Sequence, residues 1–353
     1  MNNIYLRVLA EYSTNASVAL ATVTGSSGST PQKGGSSALF NESGLISGTV
    51  GGGVVEGRLQ KIACEAIKLK HSAYFSFDLS GDISNKEEAI CGGKVTVLVD
   101  ANLQNSIGIF NQMQLSLANQ IPGVLVTMVN RFSEEIVLVN RYWITEKSDA
   151  VLPPALHTRI KEEADKMILE AKPHDFRELS LSLPDEEPSS LFFLEAVLPL
   201  PKLIIAGAGH IGRSLAHLGK LLDFEVTVID DRAEYANHSN IPDASHIIVG
   251  DIGVTMDSVP KDSNTYVVIV SRGHKDDAQA LKPCVGKGLA YIGMIGSKTK
   301  VEAMRRDFIE NGWASDVQWK QVNAPVGLPI GSQTVAEIAV SIAAQLVLFR
   351  SKR

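Results

Sequence analysis

The second half of the chain alternates between two arrangements of apolar residues. Short, largely apolar runs at residues 201–206, 246–249, 266–270 and 290–295, and a run ending in an acid at 225–230, read as parallel strands. Between them the apolar positions return every three or four residues, as at Ile211, Leu215, Leu218 and Leu222. That period predicts helices over 210–222, 276–285 and 298–310. A last helix opens on the capping box Thr334-Val335-Ala336-Glu337, with Val335, Ile338, Ala339, Ile342 and Leu346 in one apolar stripe. Strand and helix in alternation imply a parallel sheet covered on both faces.

The first half is patterned differently. Strands are predicted over 18–24, 36–40 and 45–49, the last two joined by the turn Asn41-Glu42-Ser43-Gly44. A helix over 54–70 places Val55, Leu59, Ile62, Ala66 and Leu69 on one face. Further strands are expected at 94–100, 123–129, 135–139 and 191–198, with a helix at 155–171. A polar, Pro-rich linker begins near Leu183, and Pro199 and Pro201 bracket the crossing between the halves. The domains are therefore set at 1–198 and 199–353. No internal repeat or low-complexity segment interrupts them.

The first strand of the second domain runs into Gly207-Ala208-Gly209-His210-Ile211-Gly212, a G-x-G-x-x-G motif. Its first glycine allows a tight turn, its second lets a pyrophosphate approach the backbone, and its third lets helix pack on strand. The helix N-terminus that follows offers free N–H groups to phosphates. Asp230 closes the next strand, 18 residues after Gly212, near the spacing at which a carboxylate reaches a ribose hydroxyl. Asp230 favours a free 2′-hydroxyl and NAD, whereas Arg232 suits the 2′-phosphate of NADP; the choice stays open. The fold class is thus α/β: a C-terminal Rossmann-like parallel sheet domain after an N-terminal mixed α/β, β-rich domain.

Bulk properties narrow the function classes. A net charge of −6 argues against nucleic-acid binding, and 44% hydrophobic with 20% charged residues describes an ordinary globular protein. No run approaches the roughly 18 apolar residues of a membrane span, and the N-terminus lacks a signal-peptide pattern, so a cytoplasmic location without membrane partners is expected. The cysteines Cys64, Cys91 and Cys284 are odd in number and without CxxC spacing, which indicates neither disulfides nor a metal site. No GxSxG, HExxH or other pairing of nucleophile and base appears, so no catalytic residue is assigned.

Three further stretches carry candidate chemistry. Gly51-Gly52-Gly53 precedes the helix at 54–70 and leaves backbone N–H groups open to an anion, near a hydroxyl- and glycine-rich loop at 25–35. Plain flexible turns are the alternative. Cys91 is followed by Gly92 and Gly93, which leaves its thiol sterically open, whereas Cys64 and Cys284 fit inert buried thiols. His274, in Ser271-Arg272-Gly273-His274, either meets a phosphate or proton beyond a strand end, or caps the next helix. His210 is expected at backbone or ligand phosphate.

These motifs resemble the XdhC/CoxI family over both domains. Gly28-Ser29-Thr30-Pro31, Gly48-Thr49-Val50-Gly51-Gly52-Gly53-Val54-Val55-Glu56 and Cys91-Gly92-Gly93 are similar to its N-terminal domain. Gly207 to Gly212, Asp231-Arg232-Ala233-Glu234, Gly273-His274-Lys275-Asp276, Tyr291-Ile292-Gly293-Met294-Ile295-Gly296-Ser297 and Pro325-Val326-Gly327-Leu328-Pro329 are similar to its C-terminal domain. Ser271-Arg272 stands where Thr-His is expected, and Val335 where proline is expected; residues 102–188 carry no motif. The resemblance implies an accessory chaperone for xanthine dehydrogenase and related molybdenum hydroxylases. Such a protein binds molybdenum cofactor (molybdopterin), favours its sulfurated form and delivers it to the apoenzyme. It implies Cys91 at the cofactor site, the Gly51–Gly53 turn as a seat for the pterin phosphate, a cysteine desulfurase as a further partner, and a homodimer. The cofactor is expected between or beside the domains. The residues by themselves leave two rivals, an NAD(P)-dependent oxidoreductase and a nucleotide-binding interaction protein without turnover.

Overall fold

The computed structural model describes residues 3–28, 32–78, 93–131, 137–147, 154–180 and 190–352. Two units are present, Met1–Pro199 and Leu200–Arg353.

The first unit opens with α1 (Ile4–Ser13), whose Tyr5 and Leu6 N–H groups donate to the Asn3 side chain. Strands β1 (Ala19–Gly28), β2 (Ser37–Asn41) and β3 (Gly44–Gly48) lead to α2 (Gly53–Leu69), β4 (Ala73–Asp78) and β5 (Gly93–Asp100). Next come α3 (Ile107–Ala118), β6 (Gly123–Arg131), β7 (Val137–Ile144), α4 (Pro154–Glu170), β8 (Phe176–Ser180) and β9 (Ser190–Val197). They form two antiparallel sheets, ordered β3-β2-β1-β5-β4 and β7-β6-β9-β8.

Strand alternation builds the layers. Ala19, Ala21 and Val23 of β1 pack under α2 with Val55, Leu59 and Ala63. Leu20 turns the other way, toward Tyr5 and Val8 of α1 and Phe110 and Met113 of α3. The second sheet covers Val126, Phe192 and Leu194 with Ile160, Ala164 and Met167 of α4. Tyr74, Leu98, Val129 and Phe193 form a cluster between the two sheets. A buried ion pair joins them: Arg141 of β7 donates to Asp100 of β5 at 2.5 Å, their side chains 2% and 1% exposed. Ser72 Oγ and the Asn102 N–H also donate to Asp100, at 2.7 and 2.9 Å, so the buried carboxylate is well provided with donors.

Four elements here carried no expectation from sequence: α1, α3, β4 and β8. The α3 segment is apolar nearly all round, so its period is weak, while β4 and β8 are six and five residues long. Strand β7 runs to Ile144 and not to 139, because Arg141, polar yet buried, breaks the apolar alternation that marks a strand.

The second unit contains β10 (Lys202–Ala206), α5 (His210–Leu221), β11 (Glu225–Asp230), β12 (His246–Val249), α6 (Ile252–Ser258), β13 (Thr265–Ile269) and α7 (His274–Leu281). It continues with β14 (Tyr291–Met294), α8 (Lys298–Glu310), α9 (Asp316–Trp319), β15 (Val322–Asn323) and α10 (Val335–Arg350). All six strands are parallel, in the order β12-β11-β10-β13-β14-β15, the doubly wound order of a Rossmann sheet. Leu203 and Ile205 of β10 pack with Leu215 of α5 and Ile342 and Leu346 of α10. Ile204 and Ala206 face Met256 of α6, Leu281 of α7 and Phe308 of α8. Helix α7 starts two residues before the expected position, on Gly273 as its N-cap, and stops at Leu281, just ahead of Pro283. The Thr334 capping box is formed as its residues predict.

Candidate functional site

In the second unit the motif residues lie along the C-terminal edge of the parallel sheet. The chain order reverses between β10 and β13, which is where such sheets bind ligands. The three glycines of the β10–α5 turn have distinct environments. Gly207 has φ +122°, and a Cβ there would meet Val270 O of the neighbouring segment at 2.5 Å. A Cβ on Gly212 would meet Gly207 O at 1.9 Å. Gly209 has nothing within 4 Å of a Cβ, so space lies open where the helix presents its first N–H groups. His210, the first residue of α5, is exposed beside that space.

Asp230 is buried and engaged at both oxygens. Oδ1 accepts from Arg232 N at 3.0 Å and Nε at 2.9 Å; Oδ2 accepts from Ala208 N at 2.7 Å and Arg232 Nη2 at 3.0 Å. Burial opposes the charge on Asp230, but the Arg232 and Ala208 bonds outweigh it and hold the carboxyl below its usual range. The carboxylate that the spacing offers to a ribose diol is thus already bonded by its own neighbours. The Arg232 guanidinium lies 4.0 Å above the Tyr235 ring. Arg272, exposed beyond β13, reaches Asp231 at 3.3 Å.

His274 does not cap α7, a place that Gly273 takes; its Nε2 lies 3.2 Å from Asp307 Oδ2 of α8. Behind it Asp277 is fully buried, bonded by Ser271 Oγ at 2.5 Å and by Lys300 Nζ. Burial raises the Asp277 pKa, against the pull of Lys300 and Ser271. This cluster fixes the loop after β13 to α8, a role the sequence did not signal, because Lys300 is 23 residues from Asp277.

In the first unit the register of the sheet assembles the other motifs. Gly28, the last residue of β1, pairs with Gly93, the first of β5. Gly48 of β3 pairs with Ala38, at the same end of the sheet. The ends of the β1–β2 loop and the Gly51–Gly53 turn thus share one sheet end with the start of β5, and a β-bulge at Val23/Gly25 shifts the β1–β5 register ahead of it. Cys91 and Gly92, with Ser29, Thr30 and Pro31, lie outside the described residues. Gly51, Gly52 and Gly53 have φ of +128°, +66° and +57°, a succession that only glycine adopts without strain. Around Gly52 and Gly53 nothing lies within 4 Å of a Cβ. Thr49 Oγ1 accepts from the Gly51 N–H at 3.2 Å.

Of the other thiols, that of Cys284 is buried and pushed up to about 12 by burial, which makes it inert, whereas Cys64 is only half-buried. Among the described residues no three His, Cys, Asp or Glu side chains gather to hold a metal ion. Nor is any described helix long and apolar enough to cross a membrane.

Comparison with known proteins assigns the class. Residues 203–346 match the XdhC Rossmann domain, and residues 12–78 match the XdhC and CoxI family. The two matches fall in order on the two units, and the chain belongs to the XdhC/CoxI family, the xanthine dehydrogenase accessory family.

Particular relatives are more distant. The chain is 24% identical over 356 residues to a probable xanthine dehydrogenase subunit of Bacillus subtilis (strain 168), covering 100% of this chain and 99% of that one. It is 29% identical over 148 residues to the uncharacterized protein YqeB of Escherichia coli (strain K12), a match over 42% of this chain and only 27% of that protein. A crystal structure described as a xanthine dehydrogenase from Bacillus halodurans superposes with a TM-score of 0.78 at 25% identity, covering 99% of this chain and 96% of the other.

Proposed function

We propose that this protein is an accessory chaperone that carries molybdenum cofactor as cargo and hands its sulfurated form to the apoenzyme of a xanthine dehydrogenase-type hydroxylase. The observation that carries this reading is the convergence of motifs on one end of the first sheet. Gly28 pairs there with Gly93, and the open Gly52–Gly53 turn lies at the same end. The cargo's chemistry fits this end: the phosphate of the pterin suits the backbone N–H groups of the Gly51–Gly53 turn, and a soft metal–sulfur centre suits a thiol. Cys91, two residues before Gly93 in the chain, is the proposed thiol. When bound, the cargo supplies the molybdenum–sulfido centre that the client hydroxylase needs. A cysteine desulfurase is the proposed sulfur source, and the working form is a cytoplasmic homodimer.

The test is anaerobic gel filtration of the protein with molybdenum cofactor, with bound pterin scored by fluorescence after oxidation. Stoichiometric co-elution, lost in Cys91→Ala with the fold intact, is expected. No pterin in the protein peak overturns the carrier reading; retention unchanged in Cys91→Ala removes Cys91 from it.

A second reading is favoured by the open space at Gly209, which suits the pyrophosphate of a nucleotide or of a dinucleotide form of the cofactor. NAD(P)-dependent hydride transfer to a small substrate would make the protein an oxidoreductase. Tight nucleotide binding without turnover would make it a nucleotide-binding interaction protein.

A further inference from the structure

Helix α10 is apolar on both its inner and its outer side. Of its sixteen residues only Glu337 and Arg350 are charged, and both are engaged within the chain. Glu337 Oε2 accepts from Gln333 N and Thr334 N, and Arg350 Nη1 donates to Leu222 O. The two uncharged polar residues are spent inward as well. Gln345 Oε1 accepts from the Tyr291 hydroxyl and from Gly327 N, and Ser341 Oγ donates to Leu328 O. The core takes Ala339, Ile342 and Leu346. What remains outside is Val340, Val347 and Leu348, which are 48%, 39% and 38% exposed. A helix facing water carries polar residues there, whereas one apolar all round is covered.

The outward residues fit a copy of themselves. Val340, Ala344 and Val347 follow one another at steps of four and three, the repeat that forms a seam between packed helices. A larger residue on each side of a small one gives the seam the same outline in both directions. Beside it α5 and α10 leave a groove of about 390 Å³, lined by Leu218, Ile241, Pro242, Ala336, Ala339 and Val340. Leu221, 64% exposed, follows Leu218 one turn along α5. The groove's edge is polar, with Arg213 and with His217 Nδ1 at 2.8 Å from Asp243 Oδ2. An apolar centre inside a polar rim is how protein interfaces are built. The exposed apolar side chains of this face amount to on the order of 400 Å², near the largest patch that a monomer keeps. Two such faces with their rims reach about 1,200 Å², the lower end for a stable interface.

We propose that this face is the two-fold interface between two copies of this chain, with α10 packed antiparallel on α10 of the second copy. This rests on the homodimer reading and names its surface. With the axis passing between Ala343 and Ala344, Val340 of each copy lies across from the partner's Val347. Knob and groove then belong to one patch used alike by both copies, as a two-fold contact requires. A client enzyme that must be released calls for a more polar contact, so the uncharged seam is assigned to the permanent partner.

Sedimentation velocity of the full chain in reducing buffer, across micromolar concentrations, is the test, for the wild type, Val340→Glu, Val347→Lys and the double variant. The wild type is expected to sediment as a dimer. Each single substitution buries two uncompensated charges in the dimer, and is expected to weaken it at least about a hundredfold, tenfold for each copy. Both positions are exposed in the single chain, so the circular dichroism of each variant is expected to match that of the wild type. In the double variant the new charges oppose one another across the axis, and the dimer is expected to return. Dissociation of both single variants with a double variant that stays monomeric overturns the antiparallel register. A dimeric wild type whose single variants remain dimers overturns the proposal and leaves the homodimer reading standing. A monomeric wild type overturns both.

Discussion

Asp230 and Arg232 hold one another in a two-point bond, Nε to Oδ1 at 2.9 Å and Nη2 to Oδ2 at 3.0 Å, on the edge where a dinucleotide ribose would lie. The carboxylate that spacing alone leaves free for a ribose is occupied by a residue two positions away. Arg232→Ala is therefore expected to release Asp230 for a ribose diol and to tighten NAD+ relative to the wild type by about tenfold, near one hydrogen bond to a charged group. Calorimetric titration of NAD+ and NADP+ into both proteins measures it. Unaltered NAD+ affinity would mean that the ribose does not reach this position.

The two outer glycines of the β10–α5 motif and the middle one make opposite predictions. Gly212→Ala drives a Cβ to 1.9 Å from Gly207 O and is expected to unfold or strongly destabilise the second unit. Gly209→Ala meets nothing within 4 Å and has an ordinary φ of −70°, so its melting temperature is expected to stay at the wild-type value. Its methyl group does occupy the open space beside the helix N-terminus, so any nucleotide bound there should weaken. Thermal melts of both variants, followed by titration of the folded one, check the pair.

Asp100 and Arg141 make a third. Removing one partner leaves a buried charge alone, so Asp100→Ala is expected to cost about 3–5 kcal/mol of the first unit's stability. Replacing both by apolar residues of similar volume is expected to cost much less than the single change. Denaturant unfolding followed at Trp143, which lies in the adjoining core, reports the first unit separately once Trp313 and Trp319 of the second unit are replaced by Phe in every protein compared.

Glu195 sets a pH dependence. Burial raises its pKa to about 7, against the Tyr5 hydroxyl that donates to it and the nearby Arg141 charge. A carboxyl raised on folding stabilises the fold where it is protonated, below its unfolded value of 4.5, and loses that contribution as pH rises through about 7. Glu195→Gln is expected to remove this slope, becoming more stable than the wild type above pH 7 by on the order of 1–3 kcal/mol. Parallel curves for the two proteins between pH 4.5 and 8 would refute the assignment.

Much of the second unit was legible because parallel strands are buried on both faces and appear as plain apolar runs. Leu203 to Ala206 and Tyr266 to Ile269 are examples, each fully buried. The Thr334 cap and the three glycine roles were likewise local. What escaped was set by partners distant in the chain. Arg141 hid the second half of β7 because its partner, Asp100, lies 41 residues away. Lys300 gave no sign that it binds Asp277.

The stretch without motifs has a mechanical share in the site. Gly34 and Gly35 lie so close to the Phe176 ring of β8 that a Cβ on either would come within 2.9 and 3.1 Å of it. Gly34 and Gly35, at the end of the hydroxyl-rich loop, are thus seated on the second sheet. A bulkier side chain in place of Phe176 would therefore push on Gly34 and Gly35, which lead directly into β2.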